Sequence, residues 1–228
     1  MNDFPPILCT VDVVLLTLTQ ARLQVALLPR YRAPHAGRLA LPGGYIHPDT
    51  DRDTRDAAER MLRDEAGLVS PYLEQLGTFG GAARDPRGWS ISVVYFALVP
   101  EALLGQGHAD LRWQPVDALP ALPFDHAEIV AGAVARVRTK SQYSSLPVYL
   151  CGERFTLPQL QAVYEAVLGE RLNKVSFRRK MEELGMLEPV EGERESGQAH
   201  RPAQVWQVRL PLRAQLSLSE RALGRTER

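Results

Sequence analysis

The stretch LPGGYIHPDTDRDTRDAAERMLRDEAGLV, residues 41–69, decides how the first half of the chain is read. It opens on Pro42-Gly43-Gly44, a turn signal. From Asp53 to Ala66 the pattern turns helical. Ala57, Ala58, Met61 and Leu62 fall at helical spacing, and Gly67 is a natural carboxy-terminal stop. The flanks read as strands. Residues 9–30 form two apolar runs broken by Thr19-Gln20-Ala21-Arg22, a hairpin pattern rich in β-branched residues. Leu39-Ala40-Leu41 leads into the glycine turn, residues 72–80 and 89–99 are two more strand-like runs, and 112–120 holds a short strand and a proline-punctuated loop. A helix over 125–140 begins with Asp125 and ends basic, as the helix macrodipole favours. The first part is therefore expected to be a mixed sheet with helices packed on it.

Pro42-Gly43-Gly44 followed by Arg60-Met61-Leu62-Arg63-Asp64-Glu65-Ala66-Gly67-Leu68 resembles the Nudix box. In that family, carboxylates at i, i+3 and i+4 share one helix face and hold hard divalent cations against a pyrophosphate, whose phosphorus the metal polarises. Three departures stand out. Met61 occupies the place of the first glutamate, and Asp64 is one methylene shorter than the second. The loop from Gly44 to Arg60 is longer than the family spacing, and its usual glutamate has no clear counterpart among Asp49, Asp51 and Asp53. Losing a ligand worth ~4 kcal/mol to the transition state would slow hydrolysis roughly a thousandfold. The expectation is a Nudix fold with weak or absent hydrolase activity and no catalytic residue assigned. Asp64 and Glu65 are left as a weak Mg²⁺ site.

Two further segments match in order. Arg84-Asp85-Pro86-Arg87-Gly88-Trp89 with Ser92-Val93-Val94-Tyr95, and the Phe124-Asp125-His126 turn, resemble ADP-ribose pyrophosphatases and their regulatory relatives. The resemblance implies an ADP-ribose-type ligand. Loop arginines suit a diphosphate through their forked donors, and Tyr31, Tyr45 and Trp89 offer faces for adenine. The candidate ligand-binding residues are Arg30, Tyr31, Arg38, Gly43, Gly44, Arg60, Glu65, Arg84, Asp85, Arg87, Asp125 and His126, with Arg87 and Arg30 ranked first. Asp125 and His126 read equally well as a helix cap or as ligand contacts.

The second part begins after SQYSSLP, residues 141–147, a polar segment read as a linker. Thr156 caps a helix LPQLQAVYEAVL, Asn173 caps a second, KVSFRRKMEEL, and Gly185 stops it. MLEPV (186–190) and PAQVWQV (202–208) then read as strands flanking a polar loop. Two helices and a hairpin are the parts of a winged helix-turn-helix. Residues 171–180, RLNKVSFRRK, carry five cations and no acid. Asn173, Lys174 and Ser176 are candidates for base edges. Arg178, Arg179 and Lys180 suit phosphates, and His200 and Arg201 lie late in the wing. The alternative is a protein-binding module with a solvated basic face. YSSLP, FTLPQLQAVYEAVLGE, FRRK, LEP and HRPAQ are similar to the carboxy-terminal end of the Nudix-related transcriptional regulators of NAD metabolism, the NrtR family.

The expected architecture is α+β: a Nudix α/β/α sandwich over residues 1–140, a linker at 141–147, a winged helix-turn-helix over 148–215 and a tail at 216–228. With 45% apolar and 24% charged residues in 228, the composition is that of a chain with a buried core. No apolar run reaches eighteen residues, so no membrane span is expected. The start lacks a basic region, and Cys9 and Cys151 are too few and too far apart for a disulfide framework or zinc site. A cytoplasmic location follows as the expectation. The net charge of zero decides nothing about nucleic acid. The resemblance implies a repressor of NAD-biosynthesis genes, requiring no cofactor and dimeric on a palindromic DNA operator, which ADP-ribose releases. An active Mg²⁺-dependent ADP-ribose pyrophosphatase and a sugar-sensing regulator of the same build remain the alternatives.

Overall fold

The computed structural model describes residues 7–195 and 202–209. Two compact units divide at Arg136/Val137, with the turn Gln20–Arg22 grouped with the second.

The first unit is built on a long apolar hairpin, β1 (Leu8–Thr19) and β2 (Arg22–Pro29). Its turn sets Gln20 and Ala21 at positive φ (51° and 58°), the conformation that tight two-residue hairpins require. β3 (Leu39–Ala40) pairs with β2, and β4 (Gly43–Tyr45) with β1. β5 (Tyr72–Gly81) runs antiparallel to β6 (Ser90–Leu98), while β6 runs parallel to β1 in the register Val11↔Val93. β7 (Arg112–Pro115) completes the seven strands by pairing with β2. β1 is buried from Val11 to Leu18, as a strand covered on both faces must be. Val11, Val13 and Leu15 share one core with Ala57, Ala58 and Met61 of helix α1 (Thr54–Met61). The pleat sends Val14 and Leu16 to the other face. Helix α2 (His126–Ser141) buries Ile129, Val130 and Ala133.

The helix read from Asp53 to Ala66 forms, but in two windings. Asp53 caps α1 by accepting from the Asp56 amide at 2.8 Å, and residues Leu62–Ala66 continue as a π-helical turn closed by Gly67 at φ 69°. The wider i→i+5 winding moves side chains off the i, i+3, i+4 face of an α-helix.

In the second unit, helix α3 (Leu157–Leu168) starts on a full capping box between Thr156 and Gln159. Helix α4 (Lys174–Leu184) is capped by Asn173, whose side-chain oxygen accepts from the amides of Val175 and Ser176 at 3.0 Å. β8 (Phe155–Thr156), β9 (Leu187–Glu195) and β10 (Ala203–Val208) form a small antiparallel sheet in the order β8-β10-β9. The core joins Phe155, Leu160, Tyr164, Phe177, Met181 and Val208. β9 runs five residues further than the sequence pattern suggested, because its outer half is polar on a solvated wing and carries no apolar alternation. The segment 141–147 is no extended spacer: Ser141, Ser144 and Leu146 are buried, and a short 3₁₀ turn follows over Leu146–Leu150.

Candidate functional site

β1, β2 and the glycine strand β4 wall a cleft of about 670 Å³ at one end of the sheet. Ten of the twelve sequence-derived candidates line it: Arg30, Tyr31, Gly43, Gly44, Arg60, Glu65, Arg84, Asp85, Arg87 and His126. Arg38 does not. Its guanidinium lies exposed and donates to the carbonyl of Ala121 at 3.0 Å. Asp125 stands behind the wall, where both its oxygens accept from Arg84 at 2.9 Å, so it acts through that arginine.

Three of the cleft arginines are forked onto carboxylates. Arg84 is held by Asp125, Arg87 by Asp85 (2.6 Å at the closest), and Arg60 by Asp51 (2.7 Å through each of two nitrogens). The Arg60 hydrogen bonds hold Asp51 well below the usual carboxylate range, even though its desolvation works the other way. Of the three loop acids Asp49, Asp51 and Asp53, it is Asp51 that pairs with Arg60. Arg87 also donates to the Tyr45 hydroxyl at 2.8 Å and sets its guanidinium 5.7 Å from that ring's centre.

Arg30 is different. It donates Nε to the Pro34 carbonyl at 3.0 Å and lies 4.8 Å over the Phe124 ring, with no carboxylate partner among the described residues. Burial, then the neighbouring Arg87 charge, pulls its pKa below the ordinary arginine value. Asp12 and Asp85 act on it only at longer range, which leaves its remaining guanidinium donors suited to an anionic oxygen.

Beneath the arginines lies a buried polar floor that the sequence reading missed. Asp12, 7% exposed, accepts from the Ser92 hydroxyl at 2.6 Å and faces Arg84 at 3.7 Å and His126 at 3.8 Å. The available signal was a lone acid within the apolar run VDVVLLTLT. Phe124, the platform under Arg30, was also missed as a cleft residue; its backbone sits at φ 54°.

His126 accepts from the Leu41 amide through Nδ1 at 3.0 Å. Burial lowers its pKa and keeps the ring neutral, although Asp12 and Asp125 act against this. The unfolded chain protonates this histidine near pH 6.5, while the folded one resists. Stability is therefore expected to fall as the pH drops below about 6.5, by up to ~1.4 kcal/mol per pH unit for this one group. Urea midpoints between pH 7.5 and 5.5 should fall less steeply in His126→Gln, which keeps an acceptor for Leu41. Equal slopes would remove His126 as the source.

Of the two acids of the Nudix box, Glu65 lines the cleft and Asp64 does not. Met61 is 3% exposed in the hydrophobic core, and the π turn leaves Glu65 at the cleft while Asp64 points to solvent beside Arg63 (3.2 Å). Among the described residues, no group of three or more His, Cys, Asp or Glu side chains is placed to hold a metal ion. Glu65 alone offers a hard cation one carboxylate at the cleft, so the remaining oxygen ligands would have to come from a bound diphosphate and water. Trp89, suggested as an adenine face, is half-exposed and lies outside the cleft lining.

In the second unit, Phe177 and Met181 of α4 are buried, and Lys174, Ser176, Arg178, Arg179 and Lys180 are exposed together. Arg179 pairs loosely with Glu183 at 3.6 Å. Asn173 is revised: its side-chain oxygen is committed to the cap, which leaves only its amide nitrogen for a base edge. His200 and Arg201 lie outside the described residues.

Residues 10–135 match the NUDIX domain family, and residues 147–208 match the NrtR DNA-binding winged helix domain. The chain is 38% identical over 216 residues to the ADPR responsive transcriptional repressor NtrR of Acinetobacter baylyi, covering 92% of this chain and 85% of that one. It is similar to Shewanella oneidensis NrtR, solved in complex with a 27mer DNA, at 35% identity and TM-score 0.82, over 90% of this chain and 95% of that one. The NUDIX domain of the same Shewanella protein, solved with ADP ribose, matches at 36% identity and TM-score 0.52, over 58% of this chain and 90% of that one. A degenerate Nudix cleft and a winged helix, joined in one chain and matched nearly end to end, place this chain in the NrtR family of Nudix-related transcriptional regulators.

Proposed function

We propose that this chain is a transcriptional repressor of NAD-metabolism genes. Its winged helix binds operator DNA, and ADP-ribose held in the Nudix cleft releases it. The observation that carries the reading is Met61, a core side chain where the hydrolases of this fold place a metal-binding carboxylate, in a cleft that still gathers arginines. Such a site binds a diphosphate and leaves it intact. Arg30 and Arg87 contact the diphosphate, Tyr31 and Tyr45 offer faces to the adenine, and the Asp12–Arg84–His126 floor holds the walls in place. The repressor acts in the cytoplasm as a homodimer on a palindromic operator, as a winged helix that reads one half-site requires. Support comes from the Acinetobacter relative, named as an ADPR responsive repressor, and from the Shewanella structures with DNA and with ADP ribose.

A gel shift on the DNA upstream of the protein's own gene, titrated with ADP-ribose, tests this. Half-release should need about tenfold more ADP-ribose in Arg30→Ala, the loss of one charge-assisted contact worth ~1.4 kcal/mol. ADP-ribose that tightens the complex would reverse the proposed direction. Rapid release of AMP on incubation with Mg²⁺ would instead make the protein an enzyme.

A further inference from the structure

Helix α4 carries one feature that neither its stability nor its core explains. Val175 is 76% exposed, in the first turn of the helix. At 3.6 residues per turn it points away from Phe177 and Met181, the buried pair. Valine is also a poorer helix former than the lysine or arginine residues beside it. Its neighbours on the exposed surface are cationic: Lys174 precedes it, Arg178 flanks it, and Arg179 lies one turn further along the same face. An apolar side chain is thus set within a ring of positive charge. The amides of Val175 and Ser176 are already satisfied by the Asn173 cap, so this turn presents side chains and not backbone donors.

The charge ring suits a polyanion, and the apolar centre suits the one apolar group that the major groove displays, the C5 methyl of thymine. Lysine and arginine dock the helix on phosphates, or read guanine, without discriminating thymine. Resting on the DNA-binding role proposed above, we infer that Val175 is a specificity-determining residue that reads a thymine methyl in each operator half-site. Arg178 and Arg179 position the helix through the phosphates on either side. The Arg179–Glu183 pair is long (3.6 Å) and exposed on both sides, so Arg179 is free to leave it for a phosphate.

The test uses the full-length protein and a 27-base-pair duplex that it selects from a random pool. Each thymine is replaced in turn by deoxyuridine, which removes only the methyl, and affinity is read by fluorescence anisotropy at fixed salt. In the wild type, one thymine per half-site should weaken binding about fourfold when its methyl is removed, the loss expected for one buried methyl. Val175→Ala should bind the thymine duplex about as weakly as the wild type binds the deoxyuridine duplex. At that position the variant should lose nothing further on replacement, and its melting temperature should match the wild type. If no thymine is sensitive, or if Val175→Ala still loses affinity at the same position, the inference fails while DNA binding stands. If the protein selects no sequence at all, the repressor reading fails and takes this inference with it.

Discussion

Gly43→Ala is expected to lose about 3 kcal/mol of stability and, with it, ADP-ribose binding. Gly43 lies opposite Asp12 in the β1–β4 pairing, and the Pro42 carbonyl accepts from the Val13 amide at 2.8 Å. A methyl group on Gly43 would sit 2.2 Å from an Asp12 carboxylate oxygen and 2.7 Å from the backbone carbonyl of Val11. The first contact could be relieved by turning Asp12 away, which would break its hydrogen bond with Ser92. The second cannot, because Val11 belongs to a buried strand held by both β4 and β6. Strands must part, and overpacking on that scale typically costs 1–3 kcal/mol or more. Gly44→Ala is the matched control. Its methyl would meet the Met61 methyl at 3.1 Å, the far end of a flexible side chain, and should cost less than about 1.5 kcal/mol. Urea denaturation of the two variants with calorimetry on ADP-ribose measures both effects. Equal stability in Gly43→Ala and wild type would show that the strand does not approach this closely.

That contrast also marks what the sequence could say. Pro42-Gly43-Gly44 read as a turn, yet Gly43 and Gly44 open strand β4 against β1; the apolar runs of β1, β2, β5 and β6 were legible as strands, because apolar periodicity is a local property. The caps at Thr156 and Asn173 were legible for the same reason, each being a short polar side chain just ahead of a helical pattern, whereas Asp53 read as the first helical residue and proves to be the cap. The charges could be placed only in part. Asp12 sits in a strand 80 residues from Ser92 and 114 from His126, and nothing local pairs them. Asp51 read as one of three spare loop acids, yet its partner Arg60 is nine residues on, across a loop whose path the sequence does not specify. Spacing failed outright at Asp64. The rule that i, i+3 and i+4 share a face assumes α-helical winding, and the π turn from Leu62 to Ala66 breaks that assumption where the acids lie. The ligand pocket was therefore readable as a set of residue types, and its internal pairing was not.

The pairing matters most at Arg84, and its loss should be nearly as costly as the strand clash. Arg84 is 8% exposed along its side chain, with Asp125 at 16% and Asp12 at 10%. Burial works against the guanidinium charge, but the hydrogen bonds to Asp125 and the charges of Asp125, Asp12 and Asp85 more than offset it, and its pKa is raised. Arg84→Met keeps the bulk and removes the charge. A buried carboxylate, Asp12, and a partly buried one, Asp125, then lose their shared cation, and breaking such a pair from one side costs about 3–5 kcal/mol, far more than the pair contributes when intact. A second substitution should recover part of that loss. Asp125→Asn in the Arg84→Met background removes one of the stranded charges while keeping a side chain able to cap α2, so the double variant is expected to be more stable than Arg84→Met alone. Thermal unfolding of the two singles and the double forms the cycle. A double variant whose loss equals the sum of the singles would mean the two side chains do not act as a unit. Recovery of stability without recovery of ADP-ribose affinity would separate two roles: the charge pair holds the floor of the cleft, and the guanidinium of Arg84 faces the ligand.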